Sequence, residues 1–163
     1  MKILKYPHES LLKKCVDVVE VTEDILLTID KMLDTMYANH GVGLAANQVG
    51  LESSIFVMDC SEDRDEPSCF INPRVVSGNG ECFFDEGCLS FPNVKIKVPR
   101  FETVVLEYMD INGTVLKKTL KGLESICAQH EIDHLEGKTF LEKVNRETRR
   151  ASLKQMKSRR NKR

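Results

Sequence analysis

Two histidines four residues apart, with a glutamate directly after the first, constrain this chain more than any other stretch; they lie in the run Gln129-His130-Glu131-Ile132-Asp133-His134-Leu135-Glu136-Gly137. On a helix, residues i and i+4 stand one above the other, so both imidazoles can reach one metal ion. Glu131 is then placed to handle protons at a water held by that metal. Leu123, Ile126, Cys127, His130 and His134 share one helical face, which predicts that the histidines point with the apolar residues into the body of the protein. Glu124 suits the positive N-terminal end of such a helix, and Gly137 suits its C-terminal stop. Whatever fold forms has to be built around this helix.

The pair alone does not choose a reaction. In one class of zinc proteases the pattern continues as HExxHxxGxxH, but Phe140 stands here where the third histidine belongs. Another class takes a glutamate further downstream, and the only acid beyond Glu142 is Glu147. Cys127 shares the helix face but is seven residues from His134, roughly 10 Å at about 1.5 Å per residue, too far for short side chains on one ion. A third ligand must come from another part of the chain. A protease or amidase would need a His or Glu there, whereas a structural zinc site would close with four protein ligands and have no use for Glu131.

A chain of 163 residues, 41% hydrophobic and 30% charged, is one ordinary domain with room for a core. No apolar run reaches membrane-spanning length and MKILKYPHES has no signal-peptide core, so a cytoplasmic protein without membrane contact is expected. Cys15, Cys60, Cys69, Cys82, Cys88 and Cys127 form no CxxC pair and read as reduced thiols. The net charge of −1 hides an asymmetry. Residues 143–163 hold ten Lys/Arg and one acid, +9, while the remaining 142 residues hold fourteen bases and twenty-four acids, −10. A basic tail on an acidic body suits a polyanion partner, most simply RNA, or else a solvated terminal helix.

Along the chain, a short helical piece is expected around Leu11 and Leu12, then a core helix capped by Thr22 and striped by Ile25, Leu26, Ile29, Met32, Leu33, Met36 and Tyr37. Gly41-x-Gly43-x-x-Ala46 has the outline of a dinucleotide-binding loop, but it follows a helix rather than a strand, which argues against nucleotide. Glycine there permits close approach of another backbone, and Gln48 supplies a neutral amide donor. Strands are expected over 54–59 and 70–76, the latter closed by a turn at Ser77-Gly78-Asn79-Gly80. Residues 81–90 and 94–98 read as extended, and 103–110 and 114–120 flank the hairpin signal Asn112-Gly113. A final helix from about Asn145 has few apolar residues and should fray at its end. Strands between terminal helices predict an α+β domain, with mostly antiparallel sheets packed around the central HExxH helix and a C-terminal helix.

Cys88, in Glu86-Gly87-Cys88-Leu89-Ser90, ends an extended segment and could approach the two histidines from a neighbouring strand. One thiolate and two imidazoles leave a tetrahedral metal an open position for water, the mark of a catalytic site; otherwise a strand cysteine is packing.

GVGLAANQVG (41–50), EGCLS (86–90) and QHEIDH (129–134), in this order, resemble the three motifs of peptide deformylases. The likeness runs from the ILKYP opening to Phe140, weakens in the basic tail, and without large insertions is similar to the compact bacterial-type enzymes. It implies a single catalytic domain over 1–163, with 145–163 a basic appendage. It implies removal of the N-formyl group from the initiator methionine of new proteins, with release of formate. By the resemblance, Cys88, His130 and His134 hold one divalent ion. Ferrous iron would be native, with zinc, nickel or cobalt as replacements. Hydroxide on that metal would attack the formyl carbonyl, with Glu131 as general base and then acid, and Gln48 and the Leu89 N–H as oxyanion donors. Val42, Phe84, Leu123, Ile126 and Cys127 would receive the methionine side chain, and the peptide would lie as an added strand near Gly43 and Gly87. Substrates are then formylmethionyl nascent chains, which makes the ribosome the natural polyanion for the tail.

Overall fold

The computed structural model describes the backbone through Arg160 and side chains through Met156. Helix α1 (Glu23–Ala38) begins where the Thr22 hydroxyl accepts from the Ile25 N–H at 3.4 Å, with Glu23 and Asp24 in its first turn. Five strands follow: β1 (Gly43–Ala45), β2 (Ile55–Met58), β3 (Ser68–Cys88), β4 (Phe91–Met109) and β5 (Val115–Lys121). They form one antiparallel sheet in chain order, each strand pairing with the next. Then come α2 (Gly122–Leu135) and α3 (Arg146–Arg160). The expected fraying concerns the far end of α3, and residues 161–163 of the tail lie outside the described residues.

The period-2 alternation of β2 explains the layering. Ile55 and Val57 face one way, toward Ile29, Met32 and Met36 of α1. Phe56 and Met58 face the other way, toward Cys127, Ala128 and Leu135 of α2. The sheet is thus covered by a helix on each face, and β2 is apolar on both. A third cluster joins Phe91, Val94, Ile96 and Val98 of β4 to Phe140, Leu141 and Met156, which docks α3. Leu26 is the one member of the α1 stripe that lies largely at the surface, at 37% exposure.

Two features depart from the reading of the sequence. Ser77–Gly80 is not a turn: β3 runs through it, with register irregularities at Ile71/Arg74 and Val75/Ser77, and its partners lie on an equally uninterrupted β4. Gly78 there makes room for an aromatic ring, since a Cβ would come within 2.4 Å of Phe101. Pro99 does not break β4 because β5 pairs only with Thr103–Met109, so the proline lies where β4 has a single neighbour. The second departure concerns α2. It is buried all round and not on one face, from Ser125 through Glu131 and again at His134 and Leu135. Gln129 and Ser125 bond to the backbone of Phe101 on β4, with Gln129 accepting from the Phe101 N–H at 3.0 Å. Leu123, by contrast, is 42% exposed.

Gly137 ends α2 as expected. Its φ is +70°, its N–H donates to the His134 carbonyl at 2.9 Å, and a Cβ would meet the Leu12 carbonyl oxygen at 2.8 Å. Among the described residues no helix is long and apolar enough to cross a membrane.

Candidate active site

Three local structures converge on one face of α2. The first is β1 with the 3-10 turn Ala46–Val49 that follows it, which carries Gln48. The second is the tight hairpin between β3 and β4, where Cys88 pairs with Phe91 across Leu89-Ser90. The third is the second half of α2, with His130, Glu131 and His134 buried. Asn47 ties the first to the third by donating from its side chain to the His134 carbonyl.

One ligand atom each from Cys88, His130 and His134 lie within 4.8 Å of one another, and the Cys88 Sγ is 3.2 Å from the His134 Nε2. His130 turns its Nδ1 to the Glu86 carboxylate at 2.7 Å, which orients the ring and leaves Nε2 for the cluster. Glu86 is itself gripped by Arg100, at 2.6 Å from Nε and 3.0 Å from Nη2, and the third nitrogen of that guanidinium takes Asp133 at 2.6 Å. Burial works to raise the Glu86 pKa, but the bonds from Arg100 and His130 overcome it and hold the carboxyl at about 2. Burial pushes His134 well below the usual histidine range, aided by the positive charges of His130 and Arg100, so it presents a neutral ring. For His130 burial acts in the same direction, but bonds to Cys88 and Glu86 win and raise it well above that range. Cys88, His130 and His134 fit a single metal ion, and their chemistry suits several first-row divalent ions.

Glu131 lies one residue past His130, 4% exposed, with burial raising its pKa to about 7. Its Oε2 has no hydrogen-bond partner among the described residues. Gly43 leaves the room for this carboxylate: a Cβ there would lie 2.5 Å from Glu131 Oε1 and 2.7 Å from the Cys127 Sγ. Gln48 is oriented by its own loop. Its Oε1 accepts from the Ala45 N–H at 2.9 Å, and its Nε2 reaches the Ser90 Oγ at 3.1 Å and the Cys88 Sγ at 3.5 Å.

A cavity of about 400 Å³ opens onto these groups. Its wall includes Gln48, Cys88, Leu89, His130 and Glu131, and also all seven residues expected to meet substrate: Val42, Gly43, Phe84, Gly87, Leu123, Ile126 and Cys127. The Cys127 thiol is pushed well above its usual range by a hydrogen bond with Cys60 and by burial, so it presents a neutral SH to the cavity. The expected site residues therefore come together at one place, His134 through its contact with Cys88 and not through the cavity wall. Missed from the sequence were Arg100, Glu86 and Asp133. The two acids lie inside the motifs and could have been weighed as partners of the histidines, but a lone arginine after a proline carries no such signal.

The family model for polypeptide deformylase matches residues 1–150. The peptide deformylase of Tolumonas auensis is 40% identical over 142 residues, covering 87% of this chain and 85% of that protein. The crystal structure of a peptide deformylase from Legionella pneumophila superposes with a TM-score of 0.93 at 38% identity, over 98% of this chain and 95% of that one. That of the Synechococcus elongatus peptide deformylase in complex with actinonin does so with a TM-score of 0.90 at 35% identity, over 94% of this chain and 86% of the other.

Proposed function

The chain belongs to the polypeptide deformylase family, and we propose that Cys88, His130 and His134 hold one divalent cation while Glu131 moves the proton of the reaction. Membership makes it an enzyme that removes the N-formyl group from nascent peptides. A cation held by Cys88, His130 and His134 would supply Lewis acidity, acidifying water and polarising the formyl group. Glu131 takes a proton from the attacking water and later delivers it to the leaving amine; a buried carboxyl held near neutrality by desolvation suits both steps. The Gln48 amide and the Leu89 N–H donate to the oxygen that gains negative charge at the formyl carbon. Cys88, His130 and His134 stay as ligands, with Glu86 fixing the ring of His130.

Substrate recognition follows from the cavity wall. Val42, Phe84, Leu123, Ile126 and Cys127 offer an apolar recess for a methionine side chain. β1 is an edge of the sheet, and a peptide adding along it would pass Gly43 on one side and Gly87 on the other. We take ferrous iron as the native ion, exchangeable for zinc, nickel or cobalt, since thiolate and imidazole accept all four. The 163 residues work as one catalytic domain in the cytoplasm, with the basic tail from 145 addressing the ribosome through exposed Arg146, Arg149, Arg150 and Lys154.

The observation that carries this reading is the buried, unpartnered Glu131 Oε2 in the wall of a cavity shared with one thiolate and two imidazoles. A structural metal site would have no reason to bury such an oxygen. The test is formate release from a formyl-Met dipeptide by anaerobically purified protein and by its Glu131→Gln variant. Retained metal with loss of turnover in the variant is expected. Equal formate from the two would remove Glu131 from the reaction, and no formate from metal-loaded wild type would overturn the activity.

A further inference from the structure

The opening residues make contacts that the reaction as described does not use. Leu4 donates its N–H to the Gln48 carbonyl at 2.8 Å, Lys5 donates its Nζ to the Leu89 carbonyl at 2.6 Å, and Tyr6 donates its N–H to the Ser90 carbonyl at 3.0 Å. The Tyr6 ring stacks on Phe91, directly after the turn, with centroids 4.8 Å apart. Three consecutive residues thus hold the two loops that carry the oxyanion donors, and Gln48 and Ser90 meet between them through their side chains at 3.1 Å.

We propose that Lys5 is a positioning residue for the oxyanion donors, acting through the Leu89 carbonyl. This rests on the deformylase reading of the site. The Leu89 N–H can serve a developing oxyanion only if the turn between Cys88 and Phe91 keeps one orientation. Strand pairing fixes its two ends, and Tyr6 fixes the Ser90 carbonyl. The Leu89 carbonyl projects from the turn, and Lys5 is the side chain that ties it down. Without that bond the peptide planes either side of Leu89 gain a rotation, and the N–H spends time off its target. A charged donor suits the task because its bond to a carbonyl is stronger than that of a neutral group.

Lys5→Met is a fair test because the backbone bonds of Leu4 and Tyr6, and the stacking of Tyr6, survive it. Removing an oxyanion donor outright costs about 10²–10³ in rate, and loosening one should cost about tenfold. Wild type, Lys5→Met and Lys5→Arg, each loaded with nickel, would be compared for formate release, with metal content and thermal midpoint measured on the same samples. The expected result is kcat down about tenfold in Lys5→Met, KM within twofold, metal content and midpoint unchanged, and recovery in Lys5→Arg. Unchanged kcat, a loss confined to KM, no recovery in Lys5→Arg, or a loss that tracks lower metal content or midpoint would each overturn the positioning role. If wild type itself released no formate, the deformylase reading would fail first.

Discussion

Replacing Glu86 with glutamine should weaken both the fold and the metal site, and the size of the first effect can be worked out. Glu86 is 4% exposed and Arg100 5%, so neither charge has water to fall back on. The guanidinium holds both Glu86 oxygens, and one of those oxygens also takes the His130 Nδ1. Removing one partner of a buried pair costs about 3–5 kcal/mol, because the other charge stays buried. A second route gives a similar figure: lowering the Glu86 pKa from 4.5 to about 2 corresponds to roughly 3 kcal/mol of preference for the charged form. Since the folded-state pKa is depressed, this contribution is complete above about 4.5 and is lost as pH falls toward about 2. Urea unfolding of metal-free protein at neutral pH should therefore show Glu86→Gln less stable by about 3 kcal/mol. Between pH 4.5 and 2, wild type should lose stability more steeply than the variant. A chelator should also strip the variant faster, by about 10–100-fold in affinity, because the His130 ring loses its anchor. A neutral-pH loss under about 1 kcal/mol, or identical acid slopes, would refute the view that this buried triad supports the site.

Other outcomes follow from the same geometry. Gly43→Ala pushes a methyl into Glu131 and Cys127, so kcat should fall more than tenfold with a stability loss of about 1–3 kcal/mol; parent-like kinetics would show that the carboxylate can move aside. Cys88→Ala removes one of the three proposed metal donors, so metal per chain after dialysis should drop well below that of wild type, and a protein that keeps its metal would point to a different ligand. Chelation of the wild type should abolish turnover while leaving far-UV circular dichroism intact, because the apolar clusters on both sheet faces contain none of the three candidate ligand residues. Changing Arg146, Arg150 and Lys154 to glutamine should leave dipeptide turnover intact and reduce ribosome co-sedimentation, with a shallower salt dependence; binding that ignores these charges would discard the tail as a contact.

Periodicity and spacing made much of this protein legible. Two histidines at i and i+4 need only a helix to share a direction, so their pairing is local and readable. Thr22 before two acids, Asn112-Gly113 between alternating strands and Gly137 after the last ligand are local signals too, and each is seen where its chemistry requires. What failed was local reading of long-range effects. Ser77–Gly80 has turn composition, but pairing of Ser77, Gly78 and Asn79 with Val105, Val104 and Thr103 across the sheet outweighs it. The burial of the polar Gln129 in α2 goes with its side-chain bonds to the Phe101 backbone on β4, which no helical wheel can record.

The site divides along the same line. Residue types and motif order point to the proposed ligands and base, because a cation selects thiolate and imidazole whatever the fold. Tertiary structure alone decides that Arg100 binds Glu86 and Asp133 together, that Gly43 opens the space beside Glu131, and that Leu4, Lys5 and Tyr6 hold two loops far from them in sequence. Such contacts join residues that share no periodicity, so nothing along the chain marks them; where they are buried, as between Arg100 and Glu86, the loss of competing water makes them strong.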